Sequence, residues 1–189
     1  MYNILKTIWD SFINVHKGFP LDLGIVVAVV CFAISKLFVM KIRKKDDLQI
    51  NWKDLLGLVI FTIYLTFLLG GTLLCREVEK DFLIELRPFW SYFDTFVRKN
   101  MTLWHQMIYN VLIFIPWGIF LPFLFKVKKG SVVFKGAVVF SFLIEFTQLA
   151  FKLGLFELDD IFHNAVGAML GYGVYCVYRK TKKMDAIQE

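Results

Sequence analysis

Five stretches of mostly apolar residues divide this chain, at 19–40, 55–75, 103–125, 131–151 and 159–178. Each has about the 20 residues that an α-helix needs to cross a bilayer. Backbone groups in hydrocarbon must find their partners within the chain, so such runs read as helices. The expected fold is therefore all-α: a polytopic membrane helix bundle of about five transmembrane helices, forming one membrane domain over residues 19–178. Composition agrees. Hydrophobic residues make up 58% of the 189, above the roughly 45–50% of a soluble domain, and the charges cluster between the runs. No linker rich in Ser, Pro or Gly and no repeat interrupts the pattern.

Residues 1–18 are too polar to span. Ile4, Leu5, Ile8, Trp9, Phe12 and Ile13 form one stripe, with Asn3, Lys6, Thr7, Asp10, Ser11 and Asn14 opposite. This pattern predicts an N-terminal amphipathic helix, lying in the interface or packed on the external loop. It lacks the charged n-region, apolar h-region and small-residue site of a cleavable signal peptide.

Basic residues mark the cytoplasmic side. They gather at Lys41, Arg43, Lys44, Lys45 and Lys53, at Lys126, Lys128 and Lys129, and in the tail 179–189 at Arg179, Lys180, Lys182 and Lys183. Five spans put all three groups on one side. The N-terminus is then outside and the C-terminus cytoplasmic. The segment 76–102 is also outside, with its basic and acidic residues in balance.

Glu145 stands out against this background. A carboxylate inside a membrane helix costs roughly 2.5–3.5 kcal/mol at mid-bilayer, which makes it a functional-site candidate. Gln148 shares its helical face. With about 1.5 Å of rise per residue, Glu145 lies roughly 9 Å below the outer end of the fourth span. Asp160, Asn164, Gly167 and Gly171 share one face of the fifth span. His105, Gln106 and Asn110 occupy the first turns of the third. Polar side chains from three helices thus fall in the outer leaflet, and the external Arg87 is expected close to the same level. An arginine–carboxylate pair there would lower the cost of burying Glu145. The candidate ligand-binding residues are Arg87, Asn110, Glu145, Gln148, Asp160 and Asn164.

Plainer roles compete at several positions. Asp159 and Asp160 also suit a helix N-terminus, and Asn164 suits a bond between helices. Gly167 and Gly171 are expected to let helices approach closely. Pro116 and Pro122 are expected to kink the third span. His163 reads as an interfacial residue. Phe89, Trp90, Tyr92, Phe93 and Phe96 suit an aromatic belt or a wall facing lipid. Cys31, Cys75 and Cys176 lie in separate runs and read as small apolar residues. No His/Cys set has metal spacing, no cofactor motif occurs, and no nucleic-acid partner is expected.

Four short pieces in order resemble the VanZ-like family. They are Arg87-Pro88-Phe89, then Asn110-x5-Pro116-x-Gly118, then Ile144-Glu145-x-x-Gln148, then Asp159-Asp160-Ile161-x-x-Asn164-x-x-Gly167. The resemblance covers roughly residues 87–178. It implies a polytopic protein of the bacterial cell membrane, associated with glycopeptide resistance, notably to teicoplanin. Family members usually read Arg, a few residues, Asp, an aliphatic residue and Asp-Asp before the last span. Here Glu157 replaces the first acid, and Lys152 is the nearest base.

The leading expectation is a binding role. The outer-leaflet polar residues would engage membrane lipids, a cell-wall lipid precursor or a lipoglycopeptide. Two other readings remain open from sequence: a membrane enzyme with Glu145 or Asp160 as general base, and a polar cluster that only locks helices together. Nothing in the pattern fixes an oligomeric state.

Overall fold

The computed structural model describes residues 21–45 and 51–188, so the segment expected as an amphipathic helix, residues 1–18, lies outside the described residues. Helix α1 is Leu21–Lys45 and α2 is Trp52–Leu69. Helix α2 starts from a capping box, in which the Asn51 side chain accepts from the Asp54 N–H and the Asp54 carboxylate accepts from the Asn51 N–H. It runs into a π-helical turn, Gly70–Leu74. There follow strand β1 (Leu83–Glu85), short helix α3 (Trp90–Val97), α4 (Met101–Phe125), α5 (Gly130–Ala150), strand β2 (Leu155–Glu157) and the long α6 (Leu158–Gln188).

Four helical stretches among the described residues are long and apolar enough to cross a membrane: Leu21–Ile42, Trp52–Leu74, Met101–Phe125 and Gly130–Ala150. They match the first four expected spans within a few residues. The fifth expected span is helical, inside α6, but its composition falls short of the other four. The reason is packing. The part of α6 turned inward carries Asp159, His163 and Asn164, all buried, and the glycines that let α4 come close. Polar and small residues there lower its mean hydropathy without exposing polarity.

Helices α4 and α6 touch backbone to backbone. A Cβ at Gly167 would overlap the Val111 carbonyl, one at Gly171 the Ile115 carbonyl, and one at Gly118 the Ala168 carbonyl. The close-packing role expected of Gly167 and Gly171 fits this geometry, and Gly118 answers them from the opposite helix. Beside the seam, Leu68, Phe114, Val133, Ala137, Ile144 and Ala168 form one buried cluster, joining α2, α4, α5 and α6. Trp117 and Phe140 stack against it with ring centroids 4.5 Å apart. A second cluster, Val39, Leu58, Phe61, Leu65 and Leu124, joins α1 to α2 and α4. Helix α4 runs on through Pro116 and Pro122. The Tyr64 hydroxyl donates to the Ile113 carbonyl at 2.9 Å, beside the turn that Pro116 disturbs.

The connections at one end of the bundle form a small cap. Strands β1 and β2 pair in parallel, with Leu83 opposite Leu155 and Glu85 opposite Glu157. The Glu79 N–H donates to the Lys152 carbonyl, and Lys152 Nζ donates to the Lys80 carbonyl. This cap was not evident from sequence, because three-residue strands are too short to show an alternation.

A candidate polar cavity beneath the cap

The π-helical turn and the residues just after it, with α4, α5 and α6, line a half-open cavity of about 360 Å³ at the capped end. Five of the six residues singled out from sequence line it: Asn110, Glu145, Gln148, Asp160 and Asn164. Ile113, Phe114 and Ile144 supply an apolar wall, and the π-helical turn contributes Gly71 and Thr72. Such turns shift the helix register and recur at functional sites.

Each buried polar group is held from a different element. Glu145 is 3% exposed. Its Oε2 accepts the backbone N–H of Glu157 at 3.0 Å, so β2 forms the roof over the acid. Gln148 Nε2 donates at 3.0 Å to the Thr72 carbonyl, which the end of α2 leaves without a helical partner. Asn164 Nδ2 donates to Ser141 Oγ at 2.7 Å. Three buried polar atoms on cavity residues, Asn164 Oδ1, Asn110 Nδ2 and the Tyr109 hydroxyl, have no partner among the described residues.

The structure does not bring Arg87 to this cavity. Its side chain is 76% exposed and holds Glu85 through two side-chain hydrogen bonds. Those bonds and the guanidinium charge hold the Glu85 carboxyl down at about 2. The guanidinium on the cavity belongs to Arg76, the first residue after the uncharged second span. That position was the available signal, at the same end as Glu145. Arg76 Nη1 also lies against Gly154, where an added Cβ would stand 3.2 Å from it. Gly154 has φ 154°, a region that only glycine enters freely. A guanidinium from the segment just after the π-helical turn thus reaches the α5–β2 loop, which has no arginine of its own.

Asp159 and His163 differ from their sequence readings. Asp159 is buried and clamps the cap. Its carboxylate accepts from the Phe89 N–H at 2.7 Å, the Ser91 N–H at 3.0 Å and the Ser91 hydroxyl at 2.6 Å. The N-terminus of α3, rather than α6 alone, is what it serves. His163, read from sequence as interfacial, is buried within the protein, 2% exposed. Its Nε2 lies 2.9 Å from the Tyr92 hydroxyl, and Nδ1 is 4.0 Å from Asp160 Oδ1. It is not among the residues lining the cavity and turns toward α3. Of the aromatic run, Phe89, Phe93 and Phe96 are exposed, while Tyr92 turns in to His163.

Glu157, in the cap, is pushed up to about 8 from 4.5, first by burial and then by the charges of Asp160 and Asp159. A carboxyl with a raised folded pKa holds its proton more tightly in the folded state. Stability is then greatest below about 4.5 and declines as pH rises toward about 8. Melting temperature in detergent should fall across that window, and Glu157→Gln should flatten the fall. A melting temperature that climbs with pH there would contradict the assignment.

Apolar helices around a half-open cavity lined by polar residues, roofed by a small cap, define a polytopic integral membrane protein. The chain belongs to the VanZ/LLP1 family, which it matches over residues 55–179. It is 35% identical over 85 residues to Protein VanZ of Enterococcus faecium, an overlap of 43% of this chain and 53% of that protein. The chain thus spans about half the length of this relative. No solved structure matches it.

Proposed function

We propose that this protein protects a bacterial cell against teicoplanin-type glycopeptides by engaging, through its polar cavity, the polar part of an envelope lipid precursor or of the lipidated drug. In this reading the cap and the N-terminus face outward, the C-terminus is cytoplasmic, and α6 is the fifth span. The cavity then opens in the outer leaflet, beside the surface on which the drug meets its precursor. The observation that carries the reading is convergence. Asn110, Glu145, Gln148, Asp160 and Asn164 come from three helices to one space, and Asn164 Oδ1, on a residue 6% exposed, has no partner among the described residues. A cluster serving only to lock helices would satisfy its own atoms. Arg76 takes the part expected of Arg87, and the exposed Phe89, Phe93 and Phe96 supply contacts for acyl chains or sugar faces.

The test is teicoplanin susceptibility of cells carrying the wild type, Glu145→Gln or Arg76→Gln at equal membrane abundance. Both variants are expected to bring the inhibitory concentration back to that of cells lacking the protein. Full protection by both, at equal abundance, would sink the reading. A second reading draws on the two carboxylates, Glu145 and Asp160, on the cavity wall. It makes one of them a general base in modifying a lipid headgroup. Lipid mass spectrometry decides: it requires a headgroup species that appears with the wild type and disappears with Glu145→Gln.

A further inference from the structure

The cavity is electrically two-sided. On the α5–α6 side the protein uses the donors itself and leaves acceptors. Gln148 Nε2 is spent on the Thr72 carbonyl and Asn164 Nδ2 on Ser141 Oγ. Glu145 has one oxygen committed to the Glu157 N–H, and Asp160 has no hydrogen-bond partner among the described residues, its nearest approach being 4.0 Å to His163. What the residues lining this side leave over is carboxylate oxygen and the buried Asn164 Oδ1, which has no partner among the described residues. On the α2–α4 side the free groups can donate: Asn110 Nδ2, the Tyr109 hydroxyl and the Arg76 guanidinium, which makes no ion pair among the described residues. Both walls lie in one space of about 360 Å³, enough for a compact headgroup.

We propose that the cavity recognises a zwitterionic headgroup that carries a primary ammonium a few atoms from a phosphate or carboxylate. Glu145, Asp160 and Asn164 Oδ1 hold the ammonium, and Arg76 with Asn110 Nδ2 holds the anionic group. A primary ammonium brings three donors and no acceptor, which is what the α5–α6 wall lacks. It also offsets two carboxylates that no lysine or arginine pairs with among the described residues. Arginine matches phosphate or carboxylate with a bidentate fork. A quaternary ammonium has the charge but no N–H, and leaves Asn164 Oδ1 unsatisfied. This assignment rests on the binding function proposed above and names the chemistry its ligand must present.

The full chain is placed in nanodiscs of phosphatidylcholine, alone or doped with phosphatidylethanolamine or phosphatidylglycerol. Lipid retained on the protein is counted by native mass spectrometry. Phosphatidylethanolamine is expected to be retained over both others. Glu145→Gln should weaken that retention about tenfold, the scale of one charge-assisted hydrogen bond. Arg76→Gln, at an exposed position beyond the π-helical turn, should weaken it by a similar factor. Soluble phosphoethanolamine, added to the phosphatidylcholine discs, separates the sources. Binding of it to the wild type but not to Glu145→Gln shows that the headgroup alone suffices. Failure to bind, with phosphatidylethanolamine retained, shows that the acyl chains are needed. Equal retention of phosphatidylcholine and phosphatidylethanolamine, or retention indifferent to both substitutions, overturns the assignment. If that happens while Glu145→Gln still loses teicoplanin protection, the binding function stands and the ligand chemistry falls. If phosphatidylethanolamine is selected but Glu145→Gln protects fully, the reverse holds.

Discussion

Gly167→Leu is expected to remove most of the folded protein from the membrane and to lower the melting temperature of the remainder by about 10 °C. A Cβ at this position would run into the Val111 carbonyl. That neighbour is backbone in the middle of α4, so no side chain can swing aside. The helices must part, and the seam then opens at Gly171 against Ile115 and at Gly118 against Ala168. Overpacking a tight site typically costs about 1–3 kcal/mol. Leucine adds more bulk than one methylene, and parting the helices also strains the Asn164–Ser141 bond across α5 and α6. A loss of about 3 kcal/mol or more moves the melting point of a chain this size by roughly 6–12 °C. Gly173→Leu is the matched control, because a Cβ there meets nothing within 4 Å. It should melt with the wild type. Equal melting of both variants would show that α4 and α6 are not in backbone contact.

Asp159→Ala should release the cap while leaving the apolar bundle assembled. Three hydrogen bonds end on this carboxylate. Its loss strands the N–H and hydroxyl of Ser91, which is 2% exposed. Each buried donor left unpaired costs about 1–3 kcal/mol, so a penalty of about 3–5 kcal/mol falls on α3 and the turn before it. Phe89 sits in that turn at φ 61°, an unfavourable region for an aromatic residue, and its N–H is one of the three donors. With the clamp gone, the turn can relax. Backbone hydrogen exchange through Trp90–Val97 should speed up by at least about a hundredfold for that loss, with α4 and α5 still protected. Asp159→Asn keeps one acceptor and should fall between. Unchanged protection of α3 in Asp159→Ala would mean that other contacts hold the cap.

The same clamp shows why the candidate site was only partly legible beforehand. Glu145, Gln148, Asp160, Asn164 and Asn110 were readable because each is a polar residue near one end of an apolar helix. Rise per residue alone places them at one level. Arg87 was drawn to the same level by its position in sequence. It was displaced by a local pairing: with β1 laid alongside β2, the nearest acid to Arg87 is Glu85, two residues away. Asp159 looked like an ordinary helix start, since its partners Phe89 and Ser91 lie 70 and 68 residues earlier. His163 looked interfacial, since its polar partner Tyr92 is 71 residues away.

By itself the sequence determined the apolar helices, the helical face that carries Gly167 and Gly171, and the end of the bundle that holds the polar residues. All of these follow from length, period and rise, which are local properties of a helix. The tertiary structure decided which cation meets the acids, which backbone N–H roofs Glu145, and which side-chain atoms are left facing the space. Those depend on how the segment between α2 and α4 folds back over α5 and α6. Pairings across some 70 residues leave no periodic trace in the chain.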